Sequence, residues 1–517
     1  MRPLPHQHQV SAICSKVTMP TFHYKPLLRL EKPTFLESDN RNTIDKTAPL
    51  RLNRFHSIIS RNAQRQRDLI YDPNNPLRIT KPQFSGDFEC GNLGQVFKVG
   101  TRSYEIHILP DPTRHYSALW YYFKVENLSP GEYTFIIVGF FRDAHLHKIG
   151  VQPTAFSENQ AKDGIGWQRL GDNMNFWCWK KAPSSAEYAL SFTFSVKETD
   201  TMHFSYLYPY SYSQMKKHIS SLNPPYVSSN FCKSLGNVDV PIIFWDADLQ
   251  RCMPIKASSM LSSQSILTNG RYSYQRKKPL IVITARHHPG ESNSSYAMEG
   301  FIDTLFNQLN SESQRLLSNF SFLIIPMMNV DGVICGYYRP TLDGYDMNRT
   351  WIKPTKKQNP VEYYVVSLID KLIKNRPLIF FLDFHGHTAQ CNSFTYGVCD
   401  EDCELNEYEG VFPRLMAFHT KLFDENASTS FNPEAYPSTM RVALHHRYQI
   451  PFAYTLEMTF GGLDIGPKSF TQMTQQNYRE IGIAVVPSIA SMLIDHIPIT
   501  NYCDHYYPPI NSYNYDI

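Results

Sequence analysis

Hydrophobic positions along the chain change their pattern twice. Residues 1–77 show little periodicity; His, Pro, Arg, Asn and Ser prevail, as in Arg61-Asn-Ala-Gln-Arg-Gln-Arg67, and the stretch reads as an N-terminal extension, partly disordered or draped over a domain. Residues 78–213 carry short runs rich in aromatic and β-branched residues, such as Ala118-Leu-Trp-Tyr-Tyr-Phe-Lys-Val125, Tyr133-Thr-Phe-Ile-Ile-Val138 and Tyr188-Ala-Leu-Ser-Phe-Thr-Phe194, punctuated by Gly, Pro, Asn and Asp. Several short strands at that spacing predict an antiparallel β-sandwich. From 214 to 500, apolar runs alternate with helical patterns: Pro241–Trp245, Pro279–Thr284, Phe322–Ile325, Leu378–Leu382 and Phe452–Leu456 read as buried strands, while Tyr296, Met298, Phe301, Ile302, Leu305 and Phe306 recur at helical spacing. This predicts an α/β domain on a parallel or mixed sheet covered on both faces. A Tyr/Pro-rich tail, 501–517, follows.

Polar clusters fall where these strands end. His288-Pro-Gly-Glu291 follows the strand at 279–284, Asn329-Val-Asp-Gly332 the strand at 322–325, Asp383-Phe-His-Gly-His387 the strand at 378–382, and Glu457 the strand at 452–456. Open α/β sheets bind ligands beyond the carboxyl ends of their strands, so the four clusters are expected in one crevice. His288, Glu291 and His385 form a His₂Glu set, the protein complement of a catalytic zinc with one position left for water. Glu457 stands apart from it and can act as base toward the metal-bound water. Arg339 and Asn348-Arg349 share one loop; a guanidinium there can hold a developing oxyanion or take a substrate carboxylate bidentately.

Composition narrows the class. Hydrophobic residues are 42% and charged residues 19%, as in a globular protein, and 517 residues are too many for one core. The net charge of +3, without basic blocks, leaves no footprint for nucleic acid. The ten cysteines are irregularly spaced; Cys399 and Cys403 are the nearest pair and read as unpaired loop thiols. Met1-Arg-Pro-Leu-Pro-His lacks the apolar run of a secretory signal, and Ile481–Ile494 is short and contains Pro487, so it reads as a buried helix and not a membrane span. A reduced, cytoplasmic protein with free thiols is expected.

These residues carry a resemblance. Arg286-His-His-Pro-Gly-Glu-Ser-Asn-Ser-Ser-Tyr296 resembles the Arg-Val-His-Pro-Gly-Glu-Thr-Asn-Ser-Ser-Trp of the cytosolic carboxypeptidases, the protein-deglutamylating branch of the zinc metallocarboxypeptidases. Segments 326–351, 383–397 and 454–462 are similar to its other signatures; Phe88–Leu93, Gly166–Asn173 and Tyr206–Tyr212 resemble the β-sandwich that precedes its catalytic domain. The resemblance implies one zinc per chain on His288, Glu291 and His385, with His287 and His387 as the neighbouring histidines to be excluded. It implies that Asn348 and Arg349 clamp the terminal carboxylate, that Arg339 polarises the scissile carbonyl and that Glu457 is the general base. Val330, Pro340-Thr341 and Gly461 depart from the branch's Pro, Cys-Ser and Cys without removing a catalytic group.

The function expected is zinc-dependent removal of C-terminal or side-chain-linked glutamates from acidic proteins, polyglutamylated tubulin first among them, by a cytoplasmic, microtubule- or cilium-associated monomer that binds neither nucleic acid nor membrane. A metal amidohydrolase acting on N-acyl amino acids, or an inactive tubulin-binding homologue, are the alternatives. A glutamate-specific pocket needs a cation, because an unpaired buried carboxylate is disfavoured. Arg441, in Ser438-Thr-Met-Arg-Val442, resembles the branch's Gly-Thr-x-Arg-Val and is the candidate; the competing reading is an exposed arginine on a strand edge, and His445 and Arg447 are its rivals.

Overall fold

The apolar runs become three sheets in a computed structural model, which describes residues 68–74, 81–113, 118–141, 146–181, 186–222, 228–253, 255, 277–307, 309–388, 390–400, 403–432, 434–464, 471–497 and 499. Residues 1–67 of the expected extension and the tail 501–517 lie outside them.

Two sheets make the sandwich. One has six strands, in the order Asp68–Tyr71, Val96–Gly100, Ser103–His107, Gly131–Phe140, Ala186–Val196, Asp172–Lys181; the other has five, Gln83–Ser85, Tyr122–Leu128, Asp200–Ser205, Thr154–Ser157, Gln168–Arg169. The strand Asp68–Tyr71, placed in the extension by its polar surroundings, is an edge strand paired with Val96–Gly100. One pairing departs from the antiparallel expectation: Ser103–His107 runs parallel to Gly131–Phe140. Between the sheets lies an aromatic core, with Phe135 and Phe194 edge-on at 4.8 Å and Phe194 and Phe204 at 4.9 Å. Each of these side chains, essentially fully buried, contributes roughly 1.5–3 kcal/mol by leaving water.

The third sheet has nine strands and is mixed. Its centre is parallel: Ser321–Ile325, Leu280–Ala285, Leu378–His387 and Phe452–Thr459 lie side by side in that order. Their buried runs of Leu, Ile, Val and Phe suit strands covered on both faces. Antiparallel strands extend both sides, Asp239–Asp246 beyond Ser321–Ile325 and Ser393–Val398 beyond Phe452–Thr459. Two helices, Ser292–Leu305 and Gln475–Ala490, cross so closely that a Cβ on Gly482 would sit 1.8 Å from the Ala297 carbonyl oxygen. Pro487 lies inside the second helix, which continues into a π-helical turn at Ser491–His496. Among the described residues no helix is long and apolar enough to cross a membrane, and the described cysteines are free thiols.

The sandwich grips segments that follow the central strands of this sheet. The Arg169 guanidinium, buried, donates to the Phe460 carbonyl at 2.6 Å and to the Gln152 carbonyl at 2.8 Å. The Asp111 carboxylate accepts the backbone N–H of Tyr338 at 2.8 Å and of Arg339 at 3.3 Å.

Candidate active site

The strand Leu280–Ala285 ends in a turn that reverses at Arg286, in left-handed backbone with φ +65°. The Arg286 side chain closes that turn, Nε to the Pro289 carbonyl and Nη1 to Ser295 Oγ, each at 2.8 Å. Glu291 then occupies the position before the helix Ser292–Leu305, but its side chain caps none of the helix N–H groups. Both carboxylate oxygens are therefore available to the histidines. His288 Nδ1 lies 2.7 Å from Glu291 Oε1 and His385 Nδ1 lies 3.0 Å from Oε2, while the Gly386 N–H donates to Oε2 at 2.9 Å. His288, Glu291 and His385 are buried, and their donor atoms lie within 4.8 Å of one another. His387 is not in this group; its ring stands edge-on to Phe394.

Behind each histidine stands a carboxylate that sequence reading did not assign. His288 Nε2 meets Asp346 Oδ1 at 3.0 Å, and His385 Nε2 meets Asp383 Oδ2 at 2.6 Å. Alternation along the strand puts Asp383 and His385 on one face, which was the available signal; Asp346 comes from a distant loop and offered none. Burial opposes ionisation of Glu291, Asp346 and Asp383, yet the facing histidines, and Arg339 at Asp346, hold all three below the usual carboxylate range.

His385 and Glu457 are register partners on adjacent parallel strands. Burial pushes the Glu457 carboxyl up to about 8; Glu291 and Asp383 act in the same sense, and His385 and Arg339 oppose it. In the loop, Arg339 pairs with Asp346 at 2.7 Å. Asn348 is buried: its Nδ2 lies 3.3 Å from His385 Nε2 and its Oδ1 accepts the Met440 N–H at 2.9 Å. Arg349 is exposed, with Nη1 donating to the Asn348 carbonyl at 2.8 Å.

Arg441 lies in the first turn of the helix Met440–Tyr448 and is 4% exposed, not on an exposed strand edge. Its Nη1 donates to Thr455 Oγ1 at 3.0 Å, its Nε is buried with no partner, and its guanidinium lies 5.9 Å from the ring centres of both Tyr396 and Phe431. Burial lowers its pKa to about 10, against the opposing pull of Glu457. Thr455 and Glu457 project from the same face of one strand, so this cation stands beside the candidate base. Its rivals are engaged elsewhere: His445 with Asp400, Arg447 with Asp370. The Asn329 cluster is architectural. Asn329 ties the His287 and Pro340 carbonyls together, and Asp331 accepts from Ser234 and the Gly236 N–H.

Two imidazoles and a carboxylate converging at one point, backed by further ionised carboxylates, make a buried anionic pocket whose nitrogen and oxygen donors fit zinc. Residues 262–478 match the zinc carboxypeptidase family. They belong to that family.

Curated members similar to this chain include cytosolic carboxypeptidase 3 of Bos taurus, 33% identical over 407 residues, and cytosolic carboxypeptidase 2 of Homo sapiens, 30% identical over 414 residues. These alignments cover 77% and 78% of this chain but only 39% and 44% of the relatives, so the chain spans about two fifths of the length of the relatives it matches. Among solved structures, a metallo-carboxypeptidase from Pseudomonas aeruginosa, in complex with (2-guanidinoethylmercapto)succinic acid, superposes with a TM-score of 0.60 at 22% identity over 80% of this chain and 99% of its own. One from Burkholderia cenocepacia gives 0.61 at 16% identity, covering 80% and 98%. Both share this chain's fold over the aligned length.

Proposed function

We propose that the chain is a zinc-dependent carboxypeptidase that removes C-terminal or side-chain-linked glutamates from acidic proteins, polyglutamylated tubulin among them. The observation that carries this reading is the buried Arg441 guanidinium: it lies next to the candidate base, and among the described residues no carboxylate lies within ion-pairing distance of it. A buried cation without an anion is costly, and an entering glutamate side chain supplies the missing partner in a bidentate geometry.

In this reading His288, Glu291 and His385 hold zinc, which when bound supplies a Lewis acid toward water and the scissile carbonyl. Exposed Arg349 and the Asn348 side chain receive the terminal carboxylate; Arg441 receives the γ-carboxylate. Arg339, aligned by Asp346, faces the carbonyl oxygen as negative charge develops there. Glu457 takes a proton from the attacking water and returns it to the leaving amine. The relatives' name, cytosolic carboxypeptidase, supports a cytoplasmic enzyme, and microtubule or cilium association follows if tubulin is its substrate.

The test is release of free glutamate from purified polyglutamylated tubulin, and from short peptides ending in Glu or in Leu, by the zinc-loaded protein. Glutamate release from tubulin with preference for Glu-ending peptides is the expected result. Cleavage of N-acyl amino acids alone, or tubulin binding without turnover, replaces this reading by the corresponding alternative.

A further inference from the structure

The sequence departs from its branch's Arg-Val-His-Pro-Gly-Glu at one position inside the zinc motif: His287 stands where the pattern has valine. Its side chain is fully buried and enters the carboxylate system behind the zinc ligands. His287 Nδ1 lies 3.1 Å from Asp383 Oδ1, an atom that also accepts from Thr284 Oγ1 at 2.7 Å. The other oxygen, Asp383 Oδ2, meets His385 Nε2 at 2.6 Å, and His385 Nδ1 faces Glu291. The His287 ring lies nearly parallel to that of His385, 11° between planes and 5.5 Å between centres, and edge-on to Trp351 at 5.6 Å. His287 Nε2 is buried with no partner. A proton there would be a buried donor left unsatisfied, so the arrangement favours the neutral ring with its hydrogen on Nδ1, donating to Asp383.

We propose that His287 is a positioning residue of the zinc centre: its Nδ1–H joins Thr284 in fixing Asp383, which in turn fixes the orientation and tautomer of the ligand His385. Each link has a physical reason. Thr284, on the neighbouring strand, donates to Asp383 Oδ1 and also lies 3.9 Å from Met440 Sδ, so that apart from the bond to His385 itself a single shared donor is left to resist rotation of the carboxylate about its χ angles. A second donor on the same oxygen, delivered from the turn that carries His288, removes that freedom. The hydrogen on His385 is then held on Nε2 and Nδ1 is left to the metal. A valine fills much of the same space but can hold nothing. In this chain the turn that provides one ligand thereby also orients the other.

This inference rests on the ligand assignment, and its test does not depend on peptidase activity. Full-length protein carrying His287→Val, His287→Leu or His287→Asn is stripped of metal. Zn²⁺ affinity is then measured against a chelator of known strength, and Co²⁺ is added to read the visible spectrum of the site. Asn places an amide N–H where His287 Nδ1 stands; Leu restores bulk without a donor. The expected result is zinc binding weakened about 10-fold in the Val and Leu variants, with shifted cobalt bands, and both properties near wild type in the Asn variant. Wild-type affinity and spectrum in the Val and Leu variants would overturn the proposal, as would an order that follows side-chain volume, with Asn the weakest. His287, Asp383 and His385 also lie close enough together to hold an ion of their own. Two zinc ions per wild-type chain, one of them lost in the Val variant, would make His287 a ligand and overturn its positioning role. Failure of glutamate release with the affinity pattern intact would count against the substrate reading alone.

Discussion

Glu457 stands beside His385 because the two are register partners on adjacent parallel strands. Side chains at matched positions of neighbouring strands project to the same face about 5 Å apart, so the pairing of Leu378–His387 with Phe452–Thr459 places the proposed base next to a proposed metal ligand without help from any loop. Glu457→Gln keeps this geometry and loses the proton acceptor. Zinc content should be unchanged and kcat should fall about 10²–10⁴-fold. Near-normal turnover would move the role to another acid; Asp383 is a poor substitute, since both its oxygens already accept hydrogen bonds.

Asp346 holds the far nitrogen of His288 and also anchors Arg339. Asp346→Asn should weaken zinc binding about 10–100-fold in chelator competition. Thermal stabilisation by added zinc should diminish in parallel, because a ligand stabilises the fold according to its concentration relative to Kd. An unchanged affinity would show that Asp346 serves Arg339 alone.

Arg441→Leu should retain zinc and lose activity on peptides ending in glutamate, with gain on apolar ends. Comparison of kcat/KM for Glu- and Leu-ending peptides checks it. An unaltered preference in the variant, or a wild-type preference for Leu, removes Arg441 from the pocket.

Glu362, 2% exposed, accepts from Thr350 Oγ1 at 3.0 Å, and burial pushes its carboxyl up to about 7. The native state therefore binds this proton more tightly than the unfolded chain does. Its contribution favours folding at low pH and is lost as pH rises from the ordinary 4.5 through 7, at a cost on the order of 3 kcal/mol. Glu362→Gln keeps an oxygen for Thr350 and no charge. Its stability relative to wild type, measured by thermal unfolding at about pH 5 and 8, should rise with pH. A constant difference would mean that Glu362 stays ionised throughout.

The parts legible in the sequence are those where local pattern and tertiary placement agree. His288 and Glu291 are three residues apart in one turn, and His385 and Glu457 end strands whose apolar runs are unmistakable, so the rule about carboxyl ends sufficed to unite them. Arg441 was found by its type and by resemblance; its competing reading, an exposed arginine on a strand edge, is excluded because the structure starts a helix at Met440 and buries the guanidinium against Tyr396 and Phe431. Asp346 and the Asp383–His287 pairing were not legible, since their meaning arises only when segments distant in sequence meet. The strand Asp68–Tyr71 was missed for a related reason: four residues with one buried side chain carry almost no periodicity until a neighbouring strand supplies the ladder.

Asp111 belongs to the sandwich, far in sequence from every proposed site residue, yet its carboxylate receives the main-chain N–H groups of Tyr338 and Arg339. The front domain thereby sets the backbone position of the arginine assigned to the carbonyl oxygen. A catalogue of variants sorted by domain would file a change at Asp111 under folding of the sandwich, whereas its hydrogen bonds reach into the loop that carries Arg339. Excising the α/β domain would remove these hydrogen bonds altogether.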